Sequence, residues 1–537
     1  MATALLHADS TRRTWPIPFA PSARVAAAGL ILAFAVANVA YLLLACPHDL
    51  APDEAHYWDW SRHLDWAYYS KGPLVAWLIR GGCELFGNTM PAVRLPAVLC
   101  NALLLAAVYR LAADAFGPRV GLATVAAAVT VPTLSAGAVL MTIDAPFLAC
   151  WAWAAVFVRN ALTDDRIGWW LAAGTVAAVG VLAKYTMLVF PGCVAFYLLH
   201  ERDWRIRSLG RGLWLMAVVT ASGLLPILGW NAANEWAGFR HLAALGGADP
   251  VKSAGFRPGG LLDYLAGQLG FYAGVWAIPL MSAAVRFAPR SSTQPAVRFL
   301  WWLAVPIWLT FAVVSVAVKP QANWPAAAAV TGFPLAVGWL LEVRRPWAKR
   351  LAVAGVVIGL VGTVAVRFPS VVRPALASVA GSPTEHKPVP LRRLDPTCRL
   401  AGWRTLADAV DQVRDRVRAE TGEEPLVAGM NWGLPGELGF YCRGNPTVYS
   451  FGPGLKDRHS QYDLWRPNPV ADAQAFRGRA FVYVGDAPVA LRRAFDRVGP
   501  PVEVLASDGG IPVAEWTVWG LVGFRGFAPV PEVNRGY

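Results

Sequence analysis

Long apolar runs alternate with short charged loops over the first two thirds of the chain. A helix that crosses a bilayer needs about 20 mostly apolar residues, fewer where its ends snorkel. Residues 24–45, 95–111, 120–140, 143–158, 167–183, 185–199, 213–230, 261–285, 299–318, 324–341 and 351–366 meet that measure, about eleven spans in all. The first run has spanning length and no Ala-x-Ala site after it, so it reads as an uncleaved helix. Residues 73–86 are too short and interrupted to span, and read as a helix lying at the interface.

The pattern changes near residue 383. A segment containing Pro, Ser and Gly, 368–383, reads as a linker into a domain over 384–537. Leu406, Val410, Val413 and Val417 recur at helical spacing and predict an amphipathic helix over 403–418. Runs at 425–428, 447–449, 480–484, 502–505 and 516–524 predict strands. The expected fold class is an α-helical integral membrane protein of about eleven transmembrane helices with a small α/β C-terminal domain.

Composition agrees. The chain is 56% hydrophobic and 15% charged, with a mean hydropathy of +0.41, whereas a soluble domain carries roughly 25% charged residues. The net charge of +13 would suit a nucleic-acid partner, but the basic residues sit in loops, as membrane topology requires. Arg12, Arg13 and Arg24 precede the first run. Alternate loops hold Arg110 and Arg119; Arg159 and Arg166; Arg202, Arg205, Arg207 and Arg211; Arg286, Arg290 and Arg298; and Arg344, Arg345, Lys349 and Arg350. That side is cytoplasmic by the positive-inside rule, so an odd number of spans puts 384–537 outside. Residues 1–23 are then cytoplasmic, with the membrane part over 24–367. Cys100, Cys150 and Cys193 lie in apolar runs, while Cys398 and Cys442 fall in the outer domain, where a disulfide is open to them.

The chemistry concentrates in polar residues beside the spans, where a charge is expensive. Residues 46–94 form a long first outer loop containing Asp53-Glu54-Ala55-His56-Tyr57 and Lys71-Gly72-Pro73. Asp144, Lys184 and Lys319, with Trp324, fall at the same face on this topology. A second outer loop runs over 231–260. Each residue also has a structural explanation: Asp53 as a helix N-cap, Asp144-Ala145-Pro146 as a helix start, and Lys184 and Lys319 as snorkelling ends.

In order, spacing and side, Asp53-Glu54-Ala55-His56-Tyr57, Lys71-Gly72-Pro73-Leu74 and Thr142-Ile143-Asp144-Ala145-Pro146 resemble the C-type membrane glycosyltransferases. The nearest likeness is to the lipid A aminoarabinose transferases (ArnT-like) and bacterial protein O-mannosyltransferases. Lys319-Pro320-Gln321-Ala322-Asn323-Trp324-Pro325 is similar to a later outer-face motif of that family. The resemblance implies an inverting transfer from a polyprenyl-phosphate-linked sugar to a lipid, glycan or protein of the envelope. It implies Asp53 as the base or acceptor-orienting carboxylate and Lys71 and Lys319 on the donor phosphate. Glu54, His56, Tyr57, Asp144, Lys184 and Trp324 would support the donor pocket, with Asp144 pairing Lys71. His56 stands where the family has Arg, and Gly72 where it has Pro. Ser70 replaces a Glu that aminoarabinose transferases use toward a divalent cation, so no metal ligand is assigned. The C-terminal domain, including Gln461-Tyr462-Asp463-Leu464-Trp465, looks like that of some relatives and carries no assigned chemistry. The rival readings are a lipid or sugar transporter, which would place its polar site near the midplane of repeated helices, and a binding protein acting through its C-terminal domain.

Overall fold

The structure is a computed structural model describing residues 22–201, 210–244, 257–455, 457 and 459–528. Arg12, Arg13, Arg202, Arg205 and Arg207 of the charge pattern, and residues 245–256 of the second outer loop, lie outside the described residues. The protein is a helical membrane protein with a C-terminal mixed β-sheet domain. Seven described helices are long and apolar enough to cross a membrane. They include α1 (Ser22–Leu44), α4 (Met90–Phe116), and the helices Asp144–Asp164, Ala326–Val343 and Pro346–Arg367. Large apolar side chains such as Leu32, Val36, Trp214, Val357 and Val361 face outward from the bundle, as a lipid solvent requires.

All eleven predicted runs are helical over most of their length, but several are broken. Residues 120–140 fall into helices Pro118–Ala128 and Pro132–Gly137. Residues 213–230 divide into Gly210–Ser222 and Leu225–Ala233, and 299–318 into Pro295–Trp302 and Val305–Val314. Pro132, Pro226 and Pro306 lie at these breaks. Proline lacks an N–H and suits only a first turn. Hydropathy registers the apolar run and misses the interruption.

The loop between the first two spans folds into α2 (Pro52–Arg62) and α3 (Leu74–Phe86). Pro52 opens α2, and Asp53 and Glu54 occupy its first turn, where carboxylates complement the helix dipole. Ala51, not Asp53, is the N-cap. Glu54 turns inward and is fully buried. Its carboxylate accepts from Arg94 on α4 at 2.7–3.2 Å, from the Met141 amide at 2.8 Å and from the Ala51 amide at 2.9 Å. Arg94, also buried, donates on to the Asp49 and His48 carbonyls. One ion pair thus ties α2 to α4 and to the turn before Asp144.

In the C-terminal domain, β1 (Leu426–Gly429), β2 (Val448–Ser450), β3 (Phe481–Val484), β4 (Phe495–Val498), β5 (Val502–Asp508) and β6 (Ile511–Phe524) form one sheet. Its order is β2-β1-β3-β6-β4, with β5 also paired to β6. The pairs β1/β2 and β1/β3 are parallel, and all pairs with β6 are antiparallel. The predicted amphipathic helix runs Trp403–Thr421 and buries Leu406, Val410, Val413 and Val417 against the sheet. Strand β4 and the helix Gly433–Tyr441 are additions to the sequence reading. Within 368–383, a helix at Arg373–Ala380 is held to this domain by the buried Arg373–Asp395 pair at 2.9 Å. Cys398 and Cys442 are both free and buried in separate cores.

Removing one partner of a buried ion pair leaves an uncompensated charge, at a cost of about 3–5 kcal/mol. Arg94→Met is therefore expected to lower the yield and melting temperature of detergent-purified protein far more than Arg80→Met, whose pair with Glu84 is exposed.

Candidate active site

Helix α2 presents Asp53 outward, toward two cavities. The smaller, about 140 Å³, is lined from the first loop by Asp53, His56, Tyr57, Tyr69, Ser70 and Lys71. His241 of the helix Ala237–Ala243 closes one side, and Trp432, His459, Ser460 and Gln461 of the C-terminal domain close another. The larger, about 970 Å³, opens between Ala51–Asp53 and the C-terminal domain at Trp403, Trp432 and Trp516. The Tyr57 hydroxyl is buried and hydrogen-bonds the Asp53 carboxylate. Burial first, then the charges of Asp53 and Asp144, holds its pKa well above the phenol range. Asp53, Tyr57 and Asp144 therefore sit together.

Lys71 reaches this cavity from a tight turn in which the amides and carbonyls of Tyr68 and Lys71 bond each other at 3.0 and 3.4 Å. The next residue explains the departure at Gly72: a Cβ there would lie 2.1 Å from the Leu182 carbonyl oxygen. The turn is pressed onto the helix Ile167–Ala183, and only glycine fits so close an approach.

Asp144 opens its helix in the first turn, as expected. Its carboxylate pairs with Lys184 at 2.7 Å and accepts from Asn323 Nδ2 at 2.7 Å. Asp144 is thus ion-paired with Lys184. Lys184 is half-buried and also lies 5.3 Å over the Phe147 ring, so it is an ion-paired residue rather than a snorkelling end. Lys319 is exposed on the loop that carries Asn323. Trp324 lines an apolar groove of about 210 Å³ with Phe147, Trp151, Phe196, Pro306 and Phe311. Glu54 is turned away from both cavities into its bond with Arg94. Among the described residues no three His, Cys, Asp or Glu side chains are grouped to hold a metal ion. The donor set does not fit the divalent cation that the resemblance raises.

The C-terminal domain completes the smaller cavity, which the sequence did not disclose. His56 Nδ1 lies 3.1 Å from the Tyr462 hydroxyl, and its ring packs against Trp60 and Trp432. Tyr462 also bonds Asp59. The Gln461 side-chain oxygen accepts from the Tyr69 amide at 2.7 Å, two residues before Lys71. The Trp465 ring meets His63 at 4.6 Å. The segment Gln461–Trp465 is thus the strap that docks the domain on the first loop. Helix Gly433–Tyr441 does the same from the other side, because a Cβ on Gly436 would stand 2.5 Å from the Ala55 carbonyl carbon. On that helix Glu437 is buried, with neither oxygen hydrogen-bonded. Burial, then Asp49 and Glu54, holds its carboxyl well above the usual range.

Comparison with known proteins supports the family resemblance in sequence and in fold: the chain is similar to the ArnT-like membrane glycosyltransferases. Residues 70–230 match the family described as dolichyl-phosphate-mannose-protein mannosyltransferase. A lipid A galacturonosyltransferase, RgtD of Rhizobium johnstonii, is 31% identical over 314 residues, covering 57% of this chain and 63% of its own. The undecaprenyl phosphate-alpha-4-amino-4-deoxy-L-arabinose arabinosyl transferase of Pseudomonas paraeruginosa is 28% identical over 313 residues, covering 52% and 53%. The chain spans less than two thirds of the length of these curated relatives. In fold, it matches ArnT from Cupriavidus metallidurans bound to undecaprenyl phosphate with a TM-score of 0.63 and 18% identity, over 93% of this chain and 98% of that one.

Two predictions follow from the docking. Gly436→Val should separate the helix Gly433–Tyr441 from α2, exposing the Arg443–Asn445 segment to limited proteolysis while the membrane part keeps its fold. Asp59 provides the second. Burial pushes its carboxyl up to about 6, against the opposing pull of Arg62, from about 3.9 in the unfolded chain. The folded state then binds more protons than the unfolded one between those values, so this group's contribution to stability is lost as pH rises from about 4 to 6. Asp59→Asn should therefore gain stability relative to wild type across that window, by about 1–2 kcal/mol, read as the difference between the two melting temperatures against pH.

Proposed function

We propose that the protein is a membrane glycosyltransferase that moves a sugar from a polyprenyl-phosphate donor to a hydroxyl of an envelope acceptor at the outer face of a bacterial inner membrane. The observation that carries this reading is one carboxylate, Asp53, and one ammonium, Lys71, facing the same small cavity at the end of a membrane bundle. It is supported by the relatives, whose names describe sugar transfer involving lipid A or undecaprenyl phosphate. The eleven helical runs are read as eleven spans, with residues 1–23 cytoplasmic, 24–367 in the membrane, 368–383 as linker and 384–537 outside, following the arginine bias.

The chemistry is a single displacement. The acceptor oxygen bonds to the anomeric carbon as the bond from that carbon to the phosphate oxygen breaks, and configuration inverts. Asp53 takes the proton of the attacking hydroxyl, or orients it until it leaves. Its exposure to the 970 Å³ cleft suits an acceptor entering from that side. Negative charge gathers on the departing phosphate, where Lys71 stabilises it at short range. Tyr57 fixes Asp53 through its hydroxyl, and His56 shapes the sugar pocket beneath Trp432. The Asp144–Lys184 pair with Asn323 braces the wall behind Tyr57. Lys319 is a second cation for the phosphate, and the groove beside Trp324 suits the first isoprene units. Glu54 supports the pocket through α2 alone.

Membrane vesicles given radiolabelled polyprenyl-phosphate sugars and envelope extract test this. Wild type should move label from the prenyl lipid to an acceptor, and Asp53→Asn should lower the rate on the order of 100-fold or more. Equal transfer by both forms would remove Asp53 from the reaction. Absence of transfer by folded wild type with every donor would overturn the transferase reading in favour of transport.

A further inference from the structure

A second cleft lies at the far end of the same helices. On α4, Arg110 lies roughly 24 Å beyond Arg94 at 1.5 Å per residue, and on the helix Asp144–Asp164, Arg159 lies about 22 Å beyond Asp144. Between these ends is a cleft of about 860 Å³ that takes no part in the site around Asp53. It has two unlike halves. One wall is an aromatic ladder: Trp153 and Phe157 rings are 5.7 Å apart, and Phe157 stacks on Trp169 at 5.7 Å and 19°. The cleft is also lined by three arginines from three helices, Arg24 of α1, Arg110 of α4 and Arg159 of the helix Asp144–Asp164.

The cleft's carboxylates are already engaged. Asp114 pairs with Arg159 at 2.9 Å, and Asp164 accepts from the Trp169 indole at 3.1 Å. Arg24 and Arg110 are exposed and make no ion pair among the described residues. Two guanidinium groups at the end of an aromatic trough match an anion that continues into an apolar chain. Arginine meets phosphate oxygens with paired donors, and basic pockets between transmembrane helices at this depth suit lipid headgroups. Single snorkelling arginines would need neither the convergence nor the trough.

We propose that this cleft binds an anionic glycerophospholipid of the leaflet opposite Asp53, its phosphodiester between Arg24 and Arg110 and one acyl chain along Trp153, Phe157 and Trp169. A free phosphate would leave the trough unused, and a zwitterionic lipid would bring its own cation to the arginines. The site is separate from the transferase chemistry and stands or falls independently of it.

The test uses the full chain in neutral micelles titrated with bromine-labelled phosphatidylglycerol or phosphatidylcholine, bromine on the acyl chain quenching nearby tryptophan. Phosphatidylglycerol should reach half-maximal quenching at on the order of tenfold lower mole fraction. Arg24→Gln with Arg110→Gln should erase that preference, and Trp153→Phe with Trp169→Phe should remove the phosphatidylglycerol-specific part of the quenching with the charge intact. Equal quenching by the two lipids in wild type would overturn the proposal. So would a preference that survives loss of both arginines at unchanged melting temperature. Displacement of phosphatidylglycerol by equimolar undecaprenyl phosphate, or by millimolar inorganic phosphate, would reassign the cleft to those ligands and overturn it equally.

Discussion

The Glu54–Arg94 ion pair is the constraint on which the Asp53 end of the bundle depends. A loop of some fifty residues between two membrane helices has large conformational freedom, and closing it costs entropy that surface contacts do not repay. One carboxylate inside the protein, gathering a guanidinium and two backbone amides, fixes the start of α2, the entry of α4 and the turn before Asp144 at once. The pair is costly to desolvate, and its contribution is specificity of arrangement more than net stability. With Glu54 pinned inward, its neighbour Asp53, about 100° further round the helix, faces the cavity.

The second organising relation lies between the membrane part and the C-terminal domain. The small cavity is walled by both, so neither alone makes it. Contact is close on both flanks: helix Gly433–Tyr441 lies backbone against backbone on α2, and the strap at Gln461–Trp465 reaches the turn that presents Lys71. Asp49 adds a third tie, accepting from the Trp403 amide and from Arg404. Three separate ties set one angle between the domain and the bundle.

Much of this was legible in the sequence. Hydropathy located every apolar run, and the cluster from Asp53 to Lys71 announced itself because carboxylates and lysine beside a span need a reason. The failures are physical and specific. Proline breaks at Pro132, Pro226 and Pro306 do not lower hydropathy, so broken helices read as continuous. The helix Gly433–Tyr441 has no local signal in Gly433-Leu434-Pro435-Gly436, because it is held by packing on α2. Glu54 and Asp53 are indistinguishable by type, and only the tertiary position of Arg94 sends one inward. Lys184 was visible as a charged residue, but its ion pair with Asp144 depends on how the helices cross. His241, Gln461 and Tyr462 join the site across hundreds of residues: no local pattern marks His241, and the segment from Gln461 to Trp465 is visible without any hint that it docks on the first loop.

The missing side chain at Gly436 has a consequence for descent. Because backbone there touches backbone, a change on either face has to be matched on the other, and ordinary side-chain drift cannot absorb a mismatch. The C-terminal domain is therefore a part fitted to α2 of this membrane bundle, not a freely interchangeable module.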